Sequence, residues 1–167
     1  VSFHPLFGPD VKMLAGRRIV FCDEAQPEDL ELLRGLFAET SARLVTMSSE
    51  EHDRRMGLVL GLTHLANLVF ARAVAHSELR AAELAEVAGV TFTKQLATTR
   101  EVSGENPGLY FEIQALNSST PETARWLRQA LEEWLGVIER RDEAGFAALM
   151  ESCRAYLEGA VGEGSER

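Results

Sequence analysis

One stretch, MGLVLGLTHLANLVFARAVA from Met56 to Ala75, restricts the fold more than any other. Its length of about twenty residues is that of a bilayer-spanning helix. His64, Asn67 and Arg72 interrupt it, however, and no basic bias flanks it. Charged and strongly polar groups are costly at the centre of a lipid-facing helix, and orientation is normally marked by flanking Lys and Arg. The segment is therefore expected to be a central helix buried on most sides by protein.

The residues after it supply helical cover. Ser48-Ser49-Glu50-Glu51 is a capping box, with Ser48 as cap and Glu51 three residues on, and launches the long helix. Ser77-Glu78 opens a short helix stopped by Gly89, and a third runs from about Phe92 to Val102. Pro107 opens a fourth. Thr120-Pro121-Glu122, a cap with Pro at the first helical position, opens a fifth, and a last helix covers about Asp142 to Leu157. No strand pattern follows Met47, and the end of the chain reads as a polar tail from about residue 161.

The first 47 residues differ in character. RRIVFCD (Arg17 to Asp23) and ARLVTM (Ala42 to Met47) read as strands. Between them PEDLELLRGLFAET opens on Pro and acids and carries Leu30, Leu33, Leu36 and Phe37 on one face of a helix. Strand, helix, strand with short joins is a βαβ pattern in a parallel or mixed sheet. The opening VSFHPLFGPD reads as the tail of another strand stopped by Pro5, leaving His4 at a strand end over a loop. So few strands with one helix cannot cover a sheet on both faces, and the segment reads as the closing third of an α/β domain. The expected architecture is mainly α, with 1–47 a remnant of an α/β domain, 48–160 a helical domain and 161–167 a disordered tail.

Composition removes some function classes. The chain has 167 residues and a net charge of −9, from 26 acidic against 17 basic residues. Without a Lys/Arg cluster, nucleic acid is excluded as the expected partner, and a membrane is excluded by the polar insertions above. Cys22 and Cys153 are far apart in sequence and suggest neither a disulfide framework nor a zinc site, which fits a reducing cytoplasm. No metal is expected.

Four histidines carry most of the possible chemistry. His76 ends a helix, where it suits carbonyl capping. His52 lies in the first turn of the long helix within EEHD, and reads either as a solvated polar turn or as a pocket group. His64 sits among Leu and Val, either a satisfied core residue or a functional one. Twelve positions separate His52 from His64, roughly 18 Å of rise in a straight helix, too far to share a metal but compatible with two ends of one cleft. Arg100 follows Thr98-Thr99, and a guanidinium beside hydroxyls is suited to gripping a carboxylate as well as to lying on the surface. Tyr110 reads as a core aromatic or as a closing group of the same pocket.

Taken together, HPLFGPD, EEHD, His64, TTR and NPGLYFEI resemble the prephenate dehydrogenase family, which includes arogenate and cyclohexadienyl dehydrogenases. The resemblance runs from residue 1 to about 160, with HPLFGP its most specific part. It implies an all-helical dimerisation domain preceded by the last part of a dinucleotide-binding domain. It also implies oxidative decarboxylation of prephenate, or the corresponding reaction of arogenate, with hydride transfer to NAD or NADP in tyrosine biosynthesis. By resemblance His4 is the catalytic base. Arg100, His64, Asp10, His52 and Tyr110 would line the substrate pocket, with His64 facing substrate or the feedback inhibitor tyrosine.

The G-x-G-x-x-G turn that holds a dinucleotide in that family is absent from these 167 residues. It is expected upstream, so this chain alone is expected to be inactive. A homodimer is expected because the long helix and the faces bearing Trp126, Leu127, Leu131, Trp134, Leu135 and Ile138, and Phe146, Leu149, Met150 and Leu157, are too apolar for a monomer. Two other readings remain: a non-catalytic helical dimerisation or tyrosine-sensing module, and an acidic helical adaptor whose histidines are structural.

Overall fold

The computed structural model describes residues 2–8, 11–24 and 26–162, with side chains to 159. It divides into two compact units, residues 1–121 and 122–167. Unit 1 opens with a small sheet of β1 (Phe3–Pro5), β2 (Arg18–Cys22) and β3 (Arg43–Met47), in the order β1-β2-β3. β2 and β3 are parallel and joined by α1 (Pro27–Phe37), as the βαβ pattern predicts. β1 runs antiparallel to β2, so the sheet is mixed.

His4 and Pro5 lie inside β1 rather than beyond its end. Cys22 N–H donates to the Ser2 carbonyl, and Leu6 N–H to the Arg18 carbonyl. By alternation Pro5, opposite Ile19, falls at a non-hydrogen-bonded position, where its missing N–H costs no ladder bond. Alternation also separates the faces of the strand. Phe3 stacks on Phe21, with ring centroids 5.9 Å apart, and both meet Phe37 of α1. His4 takes the other side. On α1 it is Leu30, Leu33 and Phe37 that turn inward, while Leu36 is exposed, a departure from the face expected of the sequence. The strand β2 is the centre of the core, with Ile19, Val20, Phe21 and Cys22 all buried.

The long helix forms from the expected cap. Ser48 Oγ accepts from the Glu51 N–H at 3.1 Å and starts α2 (Ser49–Met56). The helix does not stay α throughout. Gly57–Leu62 is a π-helical segment, after which α3 (Thr63–Ala75) continues. Two partners meet carbonyls of this segment: Gln114 Nε2 donates to the Gly61 carbonyl at 3.0 Å, and Thr63 Oγ1 to the Leu58 carbonyl. The wider π turn alters the phase between His52 and His64 from that of a straight α-helix.

The expectation that this helix is buried on most sides fails within the chain. By length and apolar composition Ser49–Ala75 could cross a membrane, yet only 11% of its most apolar window is buried. Leu58, Val59, Leu68 and Val69 are exposed. The physical reason is that α5 (Val90–Gly104) and α6 (Pro107–Leu116) cover only part of its circumference. α3 and α5 are joined by a buried polar clasp. Asn67 Oδ1 accepts from Thr99 Oγ1 at 2.8 Å and from Gln95 Nε2 at 3.0 Å, while Asn67 Nδ2 donates to the Thr63 carbonyl. The short α4 (Ala81–Glu86) lies between α3 and α5 in sequence.

Unit 2 holds most of α7 (Thr120–Glu139) and α8 (Glu143–Gly162). Arg141, in the left-handed region at φ 52°, turns the chain between them. Asp142 Oδ1 then accepts from the Gly145 N–H at 2.9 Å and caps α8. Trp134 meets Phe146 edge to face at 4.9 Å, and Val137 is buried. Residues 161 and 162, expected as the start of a tail, lie within α8; residues 163–167 lie outside the described residues.

Candidate functional site

The sheet and the start of α2 bring two of the four histidines together. His4 Nδ1 lies 2.9 Å from His52 Nε2, with the rings edge to face. The pairing joins residues 48 positions apart in sequence. His52 Nδ1 is in turn 2.9 Å from Asp53 Oδ1. The three groups form a chain, Asp53–His52–His4, leading from a half-exposed carboxylate to a half-buried imidazole. His4 Nε2 makes no hydrogen bond among the described residues.

His4, His52 and Asp53 line a cavity of about 230 Å³ together with Met56, Leu60, Glu112, Ile113, Leu116 and Asn117. Asn117 holds this wall in place, because its Nδ2 donates to the Asp53 backbone carbonyl at 2.8 Å. Burial, and secondarily the neighbouring His52, push the His4 pKa below the usual histidine value. His4 is therefore neutral at pH 7, the form that accepts a proton.

His64 and Tyr110 make a second group. Their rings stack at 4.3 Å with 18° between planes. His64 Nδ1 is buried and has no hydrogen-bond partner among the described residues. Burial lowers the His64 pKa, with Glu105 opposing the shift; burial and then Glu105 raise that of Tyr110. Tyr110 lines a different cavity, beside Leu68, Glu105, Phe111 and Gln114. The helix α6 contributes to both cavities, Ile113 and Leu116 to the first and Tyr110 and Gln114 to the second. His52 lines the first cavity, whereas His64 lines neither and meets the second only through its stacking on Tyr110, so the two histidines do not form two ends of one cleft.

The other predicted residues are not drawn into either lining. Arg100 is exposed on α5, beside buried Thr99, and makes no hydrogen bond or ion pair among the described residues. His76 is exposed at the end of α3, where its backbone N–H, not its ring, meets the Arg72 and Ala73 carbonyls. Asp10 lies outside the described residues. Among the described residues no group of three or more His, Cys, Asp or Glu is arranged to hold a metal ion. Sequence reasoning missed Asp53, Glu112 and Asn117. Asp53 stood within EEHD, but nothing in that motif announced its contact; Glu112 and Asn117 carry no spacing signal at all.

A short mixed sheet that delivers one histidine to another at the head of a long interrupted helix defines a class of helical domain appended to an α/β unit. Residues 48–152 match the family described as "Prephenate dehydrogenase, dimerization domain", and the chain belongs to the prephenate dehydrogenase family. It is similar to the 4-amino-4-deoxyprephenate dehydrogenase of Streptomyces pristinaespiralis, with 30% identity over 163 residues covering 98% of this chain and 53% of that protein. It is also similar to the T-protein of Enterobacter agglomerans, with 27% identity over 148 residues covering 89% of this chain and 40% of that protein. In fold it resembles prephenate dehydrogenase from A. aeolicus, whose crystal structure is in complex with hydroxyphenyl propionate and NAD+. The TM-score is 0.70 at 15% identity, covering 87% of this chain and 51% of that one. The chain spans about half, or less, of the length of the curated relatives it matches.

Proposed function

We propose that this chain is part of an NAD(P)-dependent oxidoreductase that oxidatively decarboxylates prephenate to 4-hydroxyphenylpyruvate, or acts on the amino analogue arogenate. The observation that carries the reading is the half-buried, neutral His4 facing a cavity, in a chain of this family. As the ring hydroxyl carbon loses hydride, its O–H becomes acidic, and His4 Nε2 takes that proton. Arg100, without a hydrogen bond or ion pair among the described residues, is proposed to grip a substrate carboxylate with its guanidinium fork. His52, His64, Tyr110 and Asp10 are proposed as further pocket groups, with His64 facing substrate or an inhibitory tyrosine.

No G-x-G-x-x-G turn occurs in these residues, so the dinucleotide is proposed to be held by residues outside this sequence. Residues 1–47 are proposed as the closing part of the domain that binds it. The family match beginning at residue 48 supports that boundary. The enzyme is proposed to be cytoplasmic and homodimeric, with neither membrane nor nucleic acid as a partner. The exposed apolar residues of the long helix, α7 and α8 would meet a two-fold copy over an interface above roughly 2,000 Å².

The test is reduction of the nicotinamide by the full-length protein with prephenate or arogenate. In that assay His4→Asn lowers turnover by about two or more orders of magnitude, the usual effect of removing a general base. The acid limb of the wild-type rate profile lies below the usual histidine range, because the base stays neutral until its lowered pKa is reached. Arg100→Ala instead raises the Michaelis constant, by about tenfold or more for a lost charge-assisted contact. Near-normal turnover in His4→Asn removes it from the mechanism.

A further inference from the structure

We propose that His52 and Asp53 are positioning residues that fix the tautomer of His4, leaving its lone pair on Nε2. The inference rests on the proposed role of His4 as base and deepens it.

An ionised carboxylate only accepts hydrogen bonds. Asp53 Oδ1, 2.9 Å from His52 Nδ1, therefore calls for a proton on that nitrogen. A neutral His52 then has a bare Nε2, which is an acceptor. His4 Nδ1, 2.9 Å away, must supply the proton of that contact. A neutral His4 protonated at Nδ1 has its only lone pair available for a substrate proton at Nε2. The carboxylate, two bonds of the network away, thus selects which nitrogen of His4 is basic. This is the general logic of a base oriented by a third group.

The geometry also holds these rings still. His52 sits in the first turn of α2, its N–H donating to the Ser48 carbonyl at 2.8 Å. Asn117, also in the cavity lining, fastens the Asp53 backbone carbonyl. His4 is fixed by β-pairing opposite Val20. His64 provides the internal contrast: its buried Nδ1 has no partner among the described residues to set its tautomer.

When substrate gives up its proton, the substrate O–H bond breaks and the His4 Nε2–H bond forms. The imidazole pair then carries one added positive charge. The proton at His4 Nδ1 can be shared with His52 Nε2, and the Asp53 carboxylate faces the charge on the His52 side. Glu112 is the other ionisable group of the cavity wall. No other reactant enters this step.

The discriminating variant is Asp53→Asn. Its amide can donate to His52 Nδ1, which reverses the chain: His52 Nε2 becomes the donor, and His4 must accept at Nδ1 and carry its proton on Nε2. Nitrogen-15 NMR of histidine-labelled full-length protein reads these tautomers without any turnover. Wild type should show His4 protonated at Nδ1 and bare at Nε2, and Asp53→Asn should invert that pattern. In the activity assay Asp53→Asn should lower kcat at least about tenfold, with the Michaelis constant within about twofold, and Asp53→Glu should recover part of the loss.

His52→Phe is the second variant, should Asp53→Asn fail to fold; it should leave His4 as a mixture of tautomers. An unchanged His4 tautomer in either folded variant overturns the proposal, as does wild-type His4 bare at Nδ1. A tautomer that inverts as stated in a protein without dehydrogenase activity upholds this inference and overturns the proposed function instead.

Discussion

The two units of this chain are stabilised by different means. Unit 1 buries its strand β2 almost completely and ties its helices with polar contacts between distant residues: Asn67 with Thr99 and Gln95, Gln114 with Gly61, Asn117 with Asp53, His4 with His52. Unit 2 has Val137 as its buried apolar residue among those described, one aromatic pair and one cap, while Trp126, Leu131, Leu135 and Ile138 are exposed. Directional contacts fix positions to a fraction of an ångström, which suits chemistry. Broad apolar faces are non-directional and area-driven, which suits association. The candidate site lies in unit 1, and in the proposed homodimer the exposed apolar faces of unit 2, together with the uncovered face of the long helix, are the surfaces proposed for assembly.

The largest effect should come from attacking that assembly surface. Leu135→Glu combined with Ile138→Glu places two charges on an exposed apolar face of α7. Each carboxylate would have to be desolvated in a dimer, but in a monomer it would stay in water. The dimer should weaken by about a hundredfold or more, since a cost of about 1.4 kcal/mol per tenfold is exceeded by two buried charges. Far-UV circular dichroism should stay unchanged. Sedimentation of the wild type at low micromolar concentration sets the reference. A stable wild-type monomer there, or a double variant that dimerises like wild type, breaks the comparison.

A middle-sized effect should sharpen the view of unit 1. Asn67→Ala removes the acceptor shared by Thr99 and Gln95 and the donor to Thr63. Leaving buried polar groups unpaired costs about 1–3 kcal/mol. Chemical denaturation should report a loss of that size. Because Thr99 adjoins Arg100 on α5, the variant should also raise the Michaelis constant while leaving turnover nearly unchanged. A loss in turnover with an unchanged Michaelis constant would detach the clasp from Arg100.

Much of this was legible in the sequence, and the pattern of what was not is instructive. The Ser48 cap, Pro27, Pro107 and Thr120-Pro121 each act on neighbouring backbone groups, so their helices begin within a residue or two of the expected places. The βαβ order followed from local patterning too. The π segment was not legible, because GLVLGL satisfies α periodicity equally well and one of the partners at its carbonyls, Gln114, is distant in sequence. How much of the long helix this chain itself buries was not legible, because hydropathy reports a need for cover, not whether this chain or a partner copy provides it. At the site, His4 and His52 were named singly, and their pairing depends on sheet register. Asp53 was overlooked because a carboxylate beside a histidine in a helix's first turn looks like ordinary solvated charge.

The smallest effect tests whether unit 2 depends on local as well as apolar terms. The cap on α8 is Asp142, whose carboxylate accepts from the Gly145 N–H. An Ala there leaves the first-turn donors of α8 to water and removes a negative charge from the positive end of the helix dipole. The expected cost is about 1 kcal/mol. Asp142→Asn keeps an acceptor at the same place without the charge, and should recover most of that loss. Gly145 belongs to the same device: a Cβ there would collide with the Asp142 side chain, so Gly145→Ala should displace the cap and reproduce the Asp142→Ala loss. Hydrogen exchange of the first-turn amides of α8 should accelerate in both, while the amides of β2 in unit 1 keep their protection. If the cap variants loosen β2 as much as α8, the units are not separately stabilised, and the contrast between a polar-pinned site and an apolar assembly surface loses its basis.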